Sequence, residues 1–537
     1  MAPDVIATGA CLDPAEVTIG PTLDIASAGR TCGFAVSYDS ACLARRDGYA
    51  QWFRAYDAGH IVDLRIRALL YDYATVGRKA GGYSLDDVSR DAGVRPHACK
   101  DSPWRTRFGE LKDIHPRDWP EEARLYLSED VRITRELADV IPPQAGEQAQ
   151  SRYDFALRLV SNEGLRVDPT AAAALGTRVN AIIARCQGPL IEAGMLRKDG
   201  SKNIAAIRER AVAAGGTRRT KGGAISTSGK ALRPLADPVL QLLGYYLGAL
   251  AVRDRELKIL DAEYVHTRFD LAVTTRTRSS NPNLQNLSKR WGVRECFAPR
   301  AGHVFLNVDY PALELRTLAQ VMCETVGPNA LADAFRGGAD PHLMFAGRLG
   351  ADVRLGPKHP DVAPLRTLAK AANFGFPGGL TGPNFALFAF DSYGVRVDNP
   401  EALERAWFQQ WPEVLVYRRH MGRYARVGRP IVHERSGHVR GRCTNTQASN
   451  SPFQERGAQV AKATLYDLVK ATRVGDLAGS HVVAFVHDEY LLETPIELAE
   501  AHAATVERII RARWPDHCPD VPLGDDVEVQ IKERWSK

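Results

Sequence analysis

The alternation of apolar and polar positions divides the 537-residue chain into regions of different character. Residues 1–140 alternate short, β-rich apolar runs with helical ones. Trp119–Ile141 has the periodicity of an amphipathic helix, which we expect to end near Pro142–Pro143. Residues 151–265 are mostly helical in pattern, interrupted by a basic, glycine-rich segment around 214–230.

Two apolar strands are predicted further along, over His303–Tyr310 and His481–Glu493, with long helices between them. Asp309 ends the first strand, and Asp488 interrupts the second. A carboxylate in an apolar strand is costly to bury unless a cation neutralises it. Two such aspartates on adjacent strands could hold two magnesium ions for in-line phosphoryl transfer. A turn aspartate at a strand end is the structural alternative for either residue alone.

The composition is that of a globular protein, with 45% hydrophobic and 25% charged residues. No apolar run approaches the ~20 residues of a membrane span, and the N-terminus lacks a signal-peptide pattern. The nine cysteines form no CxxC pair, which argues against a disulfide framework or a zinc site. The net charge of +6 mildly favours a polyanionic partner. The basic segment Arg208–Gly223 suits either a phosphate-tracking segment or a solvated loop.

A helical face with two cations and an aromatic ring is predicted over Arg366–Gly375. Arg366, Lys370 and Phe374 stand four residues apart, so a helix places them on one side. Such a face suits a nucleotide, because the cations can contact a triphosphate while the ring packs on base and sugar. A solvated basic helix is the structural alternative.

Together these segments resemble motifs A, B and C of the family A DNA polymerases. The residues that carry the three motifs, in order, are Asp309–Arg316 (DYPALELR), then Arg366, Lys370, Phe374 and Gly375, then Val486–Glu489. Further segments that match the family are Thr275–Arg276, Asn281–Asn286, Arg290, Arg294–Pro299, Asp340–His342 and Asn450–Gln454. The resemblance is strong over residues 270–537.

The resemblance implies a role for each matching residue. Asp309 and Asp488 would bind two Mg²⁺ ions, which Mn²⁺ could replace, and Glu489 would support that site. The residues expected to contact the incoming nucleotide are Arg366, Lys370, Phe374, His342, Glu314 and Tyr310. Lys370 would also act as a general acid toward the pyrophosphate, and Glu314 would block a ribose 2′-hydroxyl. The residues expected at the primer–template are Arg276, Asn283, Gln285, Asn286, Arg290, Gln454 and His487. Structural polar turn residues are the alternative for Asn283, Gln285, Asn286 and Arg290.

Two positions depart from the family pattern. Gly378 stands eight residues after Lys370, where the family usually has a tyrosine. Glu314 therefore lacks its usual neighbour. Thr446 stands where an arginine is often found.

The N-terminal region resembles the 3′–5′ exonuclease domain of phage members of the family. Asp39, within SYDSACLARR, matches a metal ligand of the second exonuclease motif, and Tyr126 and Asp130 match the third. The first motif is missing, because the nearest segment has Asp24 but Ala26 where a glutamate belongs. A two-metal site needs three or four carboxylates, so we expect a structural remnant without exonuclease activity.

The resemblance implies an α+β fold, a right-hand polymerase of palm, fingers and thumb preceded by a ribonuclease-H-like α/β layer. The expected domains are an exonuclease-like domain over 1–145, a thumb over 151–265, and palm and fingers over 266–537, with the fingers near 325–425. The expected protein is a cytoplasmic monomer of phage or bacterial origin that acts on primer–template DNA and dNTPs. The sequence identifies no processivity factor.

Three alternatives stay open. A single-subunit RNA polymerase shares the paired aspartates, but Glu314 and Phe374 argue against it. A catalytically inactive DNA-binding factor is disfavoured by the intact Asp309, Lys370 and Asp488. A pure nuclease is disfavoured by the missing carboxylates.

Overall fold

The computed structural model describes residues 8–13, 16–20, 30–79, 81–288, 290–525 and 527–536, with the backbone alone for 8–13 and 16–20. The first helices are α1 (Val36–Asp47), α2 (Tyr49–Asp57), α3 (Leu64–Thr75), α4 (Leu85–Asp91), α5 (Trp104–Arg107), α6 (Glu121–Val140), α7 (Glu147–Glu163), α8 (Pro169–Glu192), α9 (Ile204–Ala213) and α10 (Gly229–Leu232). The later helices are α11 (Pro238–Ala251), α12 (Leu313–Thr325), α13 (Ala330–Arg336), α14 (Pro341–Arg348), α15 (Ala363–Gly375), α16 (Gly382–Tyr393), α17 (Pro400–Gln410), α18 (Glu413–Arg426), α19 (Asn445–Val474) and α20 (Ala499–His517).

The strands are short and form small sheets between the helices. In chain order they are β1 (Thr8–Asp13), β2 (Glu16–Gly20), β3 (Thr31–Gly33), β4 (Ile61–Asp63), β5 (Leu165–Arg166), β6 (Tyr264–Val265), β7 (Arg268–Leu271), β8 (Thr277–Ser280), β9 (His303–Asp309), β10 (Ile431–Val432), β11 (Val439–Arg440), β12 (His481–Val486), β13 (Glu489–Pro495) and β14 (Gln530–Lys532). Near the N-terminus β1 and β2 pair antiparallel, whereas β3 and β4 pair parallel.

The chain divides into two compact units, each drawn from separate stretches of sequence. The first unit consists of Met1–Gly164, His266–Asn281 and Met421–His517. The second unit consists of Leu165–Val265, Pro282–His420 and Cys518–Lys537. The three domains expected from the sequence stay predictions.

The amphipathic helix predicted before Pro142–Pro143 is confirmed as α6. Its Ile133 and Leu137 are fully buried and pack in one cluster with Leu64 and Val88. This apolar stripe at helical spacing fixes α6 in the core of the N-terminal part. The imperfect first exonuclease motif, Leu23–Ser27, lies outside the described residues.

Of the two predicted acidic strands, the first is confirmed and the second is wrong. β9 ends at Asp309 as predicted and pairs antiparallel with β14. The segment His481–Glu493 is a hairpin instead, with Val486 opposite Glu489, so His487 and Asp488 form its turn. His487 has a left-handed φ of 63°, which two-residue hairpin turns commonly require. This turn could not be predicted from the sequence because no glycine or asparagine interrupts the apolar run.

The helical pattern predicted for 151–265 is present as α7 to α11. Arg208, placed in the basic segment by sequence, lies within α9, so that segment is loop only after Ala213. Among the described residues, no helix combines the length and the apolar character that crossing a membrane requires.

Candidate functional site

Asp309 stands where a buried strand of the second unit meets solvent. Phe305 and Val308 of β9 are buried, as is Tyr310 just beyond it, whereas Asp309 is exposed. The apolar strand therefore supports the carboxylate without enclosing it, which avoids the cost of burying a charge.

An ion pair joins α14 to α15 in the same unit. One oxygen of Asp340 accepts a hydrogen bond from the backbone nitrogen of His342 (2.8 Å) and so caps α14. The other accepts from Nε (2.9 Å) and Nη2 (2.7 Å) of Arg366. Burial acts to raise the pKa of Asp340, but the bonds from Arg366 hold it below its usual value. Asp340 is therefore ionised at neutral pH and fixes the guanidinium.

His342 is a neutral imidazole with a defined tautomer. Burial lowers its pKa to about 4; the charge of Asp340 opposes this shift, and the cations of α15 add to it. The Nδ2 atom of Asn373 donates to Nδ1 of His342 (2.8 Å), and the indole of Trp407 donates to Oδ1 of Asn373 (2.7 Å). Since an indole nitrogen only donates, the amide oxygen must face Trp407. The Nε2 atom of His342 therefore carries the proton.

The helical face predicted over motif B is confirmed. Arg366 and Phe374 on α15 are half-buried and Lys370 is exposed, while the intervening Ala369 is buried. The charge of Lys370 and that of Arg366 both influence His342, so the structure brings these cations together. A solvated basic helix would not gather a neutral histidine and an aromatic ring at the same place.

Two further rings lie close to Phe374 beside this face. The centroid of the Phe374 ring lies 6.0 Å from that of His342 and 6.5 Å from that of Tyr393. Both pairs have an interplanar angle of 26°. Glu314, in the first turn of α12, is half-buried and interacts electrostatically with the phenol of Tyr393.

The predicted template residues of the second unit occupy a short 3₁₀ turn and the segment after it. Asn283, Asn286 and Arg290 are exposed, whereas Gln285 is buried. Arg290 donates from Nη2 to the backbone oxygen of Asp391 at the end of α16 (2.7 Å). The burial of Gln285 favours a supporting role over a direct contact with DNA.

In the first unit, the β12–β13 hairpin presents the residues of motif C. His487 is exposed, Asp488 is half-buried and Glu489 is buried. The hydroxyl of Tyr490 donates to the backbone oxygen of Ala461 on α19 (2.8 Å), which anchors the hairpin. Asp488 thus lies at the tip of an apolar hairpin with access to solvent.

Buried hydrogen bonds connect α19 to the turn that carries Arg276. The side chain of Gln459 donates to Oε1 of Glu455 (2.7 Å) and to Oγ1 of Thr275 (3.3 Å). Thr275 is fully buried with a left-handed φ of 55°, and Arg276 beside it is half-buried. Gln454, on the same helix, is also half-buried. The structure therefore holds the predicted primer–template residues Arg276 and Gln454 on one connected framework.

Lys462 extends this framework into the core. Its side chain is 1% exposed; Nζ donates to Oε1 of Gln150 and lies 5.3 Å from the centre of the Tyr153 ring. Burial lowers the pKa of Lys462 to about 7, against the attraction of Glu455 and Asp154. At neutral pH both the charged and the neutral form of Lys462 are therefore populated.

The exonuclease-like residues also lie close together in the first unit. Asp39 is exposed, yet the protein packed around its carboxylate raises its pKa to about 6, with Arg158 opposing the rise and Asp130 adding to it. The ring of Tyr126 lies 4.7 Å from that of His97, between ring centres. Asp39, Tyr126 and Asp130 thus share one region, as the motif match predicts.

The carboxylates of this region already have basic side chains as neighbours. Nε2 of His97 lies 3.3 Å from Asp130, and Nζ of Lys100 lies 2.7 Å from Asp86. These residues line a pocket together with Arg105 and Tyr126. Within the described ranges, no three His, Cys, Asp or Glu side chains are placed to hold a metal ion.

Sequence reasoning missed several residues that shape these sites. Asn373 and Trp407 together fix the tautomer of His342. They are 34 residues apart in the sequence, and no helix or strand periodicity relates the two positions. Tyr393 lies on a different helix from Phe374 and Glu314. A signal was available only for Asn373, which is a polar residue on the apolar side of α15.

Residues 199–537 match the family model described as DNA polymerase family A. The DNA polymerase I of Lactococcus lactis subsp. lactis is 33% identical over 260 residues, which cover 45% of this chain and 28% of that protein. The DNA polymerase I of Aquifex aeolicus is 30% identical over 337 residues, covering 59% of this chain and 55% of that protein. The chain therefore spans only a quarter to a half of the length of these curated relatives.

A solved structure shows the same fold. It is the POL domain of Pol1 from M. smegmatis in complex with DNA primer-template and dNTP, with a TM-score of 0.64 and 21% sequence identity. The match covers 88% of this chain and 82% of that one. The expected α+β right-hand polymerase fold is confirmed, while the ribonuclease-H-like layer stays a prediction.

Proposed function

We propose that this chain, which belongs to DNA polymerase family A, is a template-directed DNA polymerase that adds dNTPs to a primer 3′-hydroxyl. The observation that carries the proposal is the cluster of Arg366, Lys370, His342 and Phe374 on α14 and α15. A triphosphate requires fixed donors and cations, and a base and sugar require a flat apolar wall. This cluster provides both the fixed cations and the flat apolar ring.

Asp309 and Asp488 are the proposed ligands of two Mg²⁺ ions, with Mn²⁺ as a substitute. Asp309 ends an apolar strand, and Asp488 lies in the turn of an apolar hairpin, each with access to solvent. This donor chemistry fits Mg²⁺, which prefers oxygen ligands and retains several waters. When bound, two such ions stabilise the attacking and the leaving oxygen of an in-line displacement. Glu489 is proposed to support the site from its buried position.

The protein's own side chains then bind and orient the nucleotide. Arg366, held by Asp340, and Lys370 contact the triphosphate, and the protonated Nε2 of His342 donates to it. Lys370 passes a proton to the leaving pyrophosphate. Phe374 packs on the base and sugar, Tyr310 contacts the nucleotide, and Glu314 excludes a ribose 2′-hydroxyl.

The remaining residues are proposed to hold the primer–template. Arg276, Gln454 and His487 contact it near the primer end, and Asn283, Gln285, Asn286 and Arg290 line or support the template path. We place this activity in the cytoplasm, where dNTPs and DNA occur, and in a monomer of phage or bacterial origin.

A gel assay with 5′-labelled primer–template tests the proposal. The protein is incubated with Mg²⁺ and either dNTPs, rNTPs or no nucleotide. Extension with dNTPs alone is expected. Extension with rNTPs would favour the RNA polymerase alternative, and a band shift without extension would favour an inactive DNA-binding factor.

A further inference from the structure

We propose that Tyr245 and Trp291 form a stacking platform for unpaired bases of the template strand. The pair lies in the second unit, where α11 meets the segment that follows Arg290. This inference rests on the proposed polymerase function and deepens it, because it names a contact with the single-stranded part of the template that the motif match does not include.

The two rings of the platform are stacked on each other. Their centroids lie 4.9 Å apart, and the angle between the ring planes is 27°. Gly248 stands three residues after Tyr245 on the same side of α11. A Cβ atom built at Gly248 would lie 3.1 Å from Cζ2 of Trp291, so the absence of a side chain there lets the indole approach the helix closely. The α11 helix therefore supplies one ring and the space for the other.

The platform is open to solvent. Tyr245 is 42% exposed although it stacks on an indole, and Trp291 is half-buried. The buried side of α11 is formed by other residues, among them Leu240, Leu243 and Tyr246, so the core does not require the Tyr245 ring. Exposed stacked rings present a flat apolar surface to which a further aromatic group can be added.

Cationic side chains border the platform at Trp291. Arg290, the preceding residue, is exposed. The exposed Arg178 on α8 donates from Nη2 to the backbone oxygen of Trp291 (2.7 Å). Two guanidinium groups therefore stand next to the indole, where the phosphates of a stacked strand would pass.

A second pair of cations lies beside Tyr245, on and next to α10. A Cβ atom built at Gly244, which precedes Tyr245, would lie 2.5 Å from Cγ of Arg233, so the two segments pack closely here. Arg233 (2.5 Å) and Lys230 (3.3 Å) both form ion pairs with the carboxylate of Asp391. Because two cations share this one carboxylate, positive charge is left to attract phosphate groups.

Exposed rings combined with cations suit a single strand better than a duplex. Unpaired bases can stack on aromatic side chains while cations follow the backbone, and this mode of binding tolerates any sequence. Bases inside a duplex are already stacked and must be extruded before a protein can contact their faces. A primed template carries an unpaired strand beyond the primer end, and the platform is assigned to that part.

The test measures binding of primer–template by fluorescence anisotropy, without nucleotides. One substrate has a 5′ template overhang of ~10 nucleotides, a length typical of single-strand sites, and the other is blunt. Tyr245→Leu should raise Kd for the overhang substrate by about fivefold or more, as expected when one base loses its stacking partner. Its Kd for the blunt duplex should equal that of the parent. Tyr245→Phe, which restores the ring, should restore the affinity for the overhang.

Tyr71→Leu is the matched control, because Tyr71 in the first unit is also 42% exposed. It should bind both substrates like the parent protein. An unchanged affinity of Tyr245→Leu for the overhang substrate would overturn the inference. An equal loss with the blunt duplex would also overturn it, since the ring would then contact paired DNA. Failure of Tyr245→Phe to restore binding would show that stacking is not the cause.

Primer extension by the parent protein is assayed separately, because binding requires no catalysis. If the parent extends no primer but Tyr245→Leu selectively weakens binding of the overhang, the proposed function fails and the platform stands as a site for single-stranded DNA. If the parent extends primers and Tyr245→Leu binds the overhang normally, the platform fails and the proposed function stands.

Discussion

Trp407 donates a hydrogen bond to Asn373, and this bond, together with the one from the Asn373 amide nitrogen to the backbone oxygen of Pro341, sets the direction in which the amide faces His342. The three groups are buried together, and the indole has no lone pair with which to accept a bond in the reverse orientation. The proton of His342 is thereby kept on Nε2. A residue well outside the predicted motifs thus controls how a proposed triphosphate contact presents its donor.

Replacing Trp407 with Phe should weaken nucleotide binding. Without the indole donor, only the 3.2 Å bond to the backbone oxygen of Pro341 opposes rotation of the amide, so the orientation that presents its oxygen to His342 and favours the wrong tautomer becomes more accessible. We expect KM for dNTPs to rise by about three- to tenfold, with a smaller change in kcat. Steady-state kinetics on a primed template would measure both.

Trp411→Phe is the matched control for that change. Trp411 is equally buried, and its indole nitrogen has no hydrogen-bond partner among the described residues. Both substitutions remove the same volume, so any shared effect reflects packing alone. Equal increases in KM for the two variants would contradict the role assigned to Trp407.

Asp309→Ala and Asp488→Ala should each abolish extension while leaving primer–template affinity nearly unchanged. Both are proposed metal ligands rather than DNA contacts, so each loss disrupts the metal clamp. Asp476→Ala, which removes an exposed carboxylate of the first unit, serves as the control. Rates and band-shift affinities would be measured together. Retention of more than roughly a tenth of the parent rate in either variant would show that its aspartate is not a catalytic ligand.

Lys462 should make the stability of the protein depend on pH above neutrality. Its folded pKa is about 7, whereas the pKa of a lysine in the unfolded chain is near 10.5. Between these values the unfolded state binds more protons, so the free energy of unfolding should rise with pH. The slope from this one group can reach about 1.4 kcal/mol per pH unit.

Urea unfolding at pH 7, 8 and 9 would measure that slope. Lys462→Met should flatten the rise, because the methionine carries no proton in either state. Lys470→Met is the control on the same helix, since Lys470 is partly exposed and pairs with Asp57 at the surface. Identical slopes for the parent and Lys462→Met would show that the buried lysine stays charged.

The exonuclease-like region should not degrade DNA. Asp130 and Asp86 are engaged by His97 and Lys100, and metal affinity falls with each missing anionic ligand. Mispaired 5′-labelled DNA with Mg²⁺ or Mn²⁺, but without nucleotides, should stay intact. A ladder that disappears in an Asp130→Ala variant would contradict this and would mean that another carboxylate completes the site.

The sequence predicted those parts of the fold that depend on local pattern. The α6 helix, the end of β9 at Asp309 and the face of α15 all follow from periodicity within one element. The hairpin at His487 was missed because its turn has no residue that favours left-handed backbone in a simple propensity scale. The contacts of Tyr393 and Trp407 could not be predicted, since they depend on how separate helices pack.

The backbone at His487 also bears on how this protein could be made more stable. Its φ of 63° suits glycine, whereas any residue with a Cβ atom adopts it at a cost on the order of 1 kcal/mol. His487→Gly should therefore strengthen the hairpin while deleting the imidazole that faces solvent beside Asp488. A selection that rewards thermal resistance alone would favour this change and remove the proposed primer contact with it. Engineering for robustness should keep this turn fixed and seek its gains elsewhere.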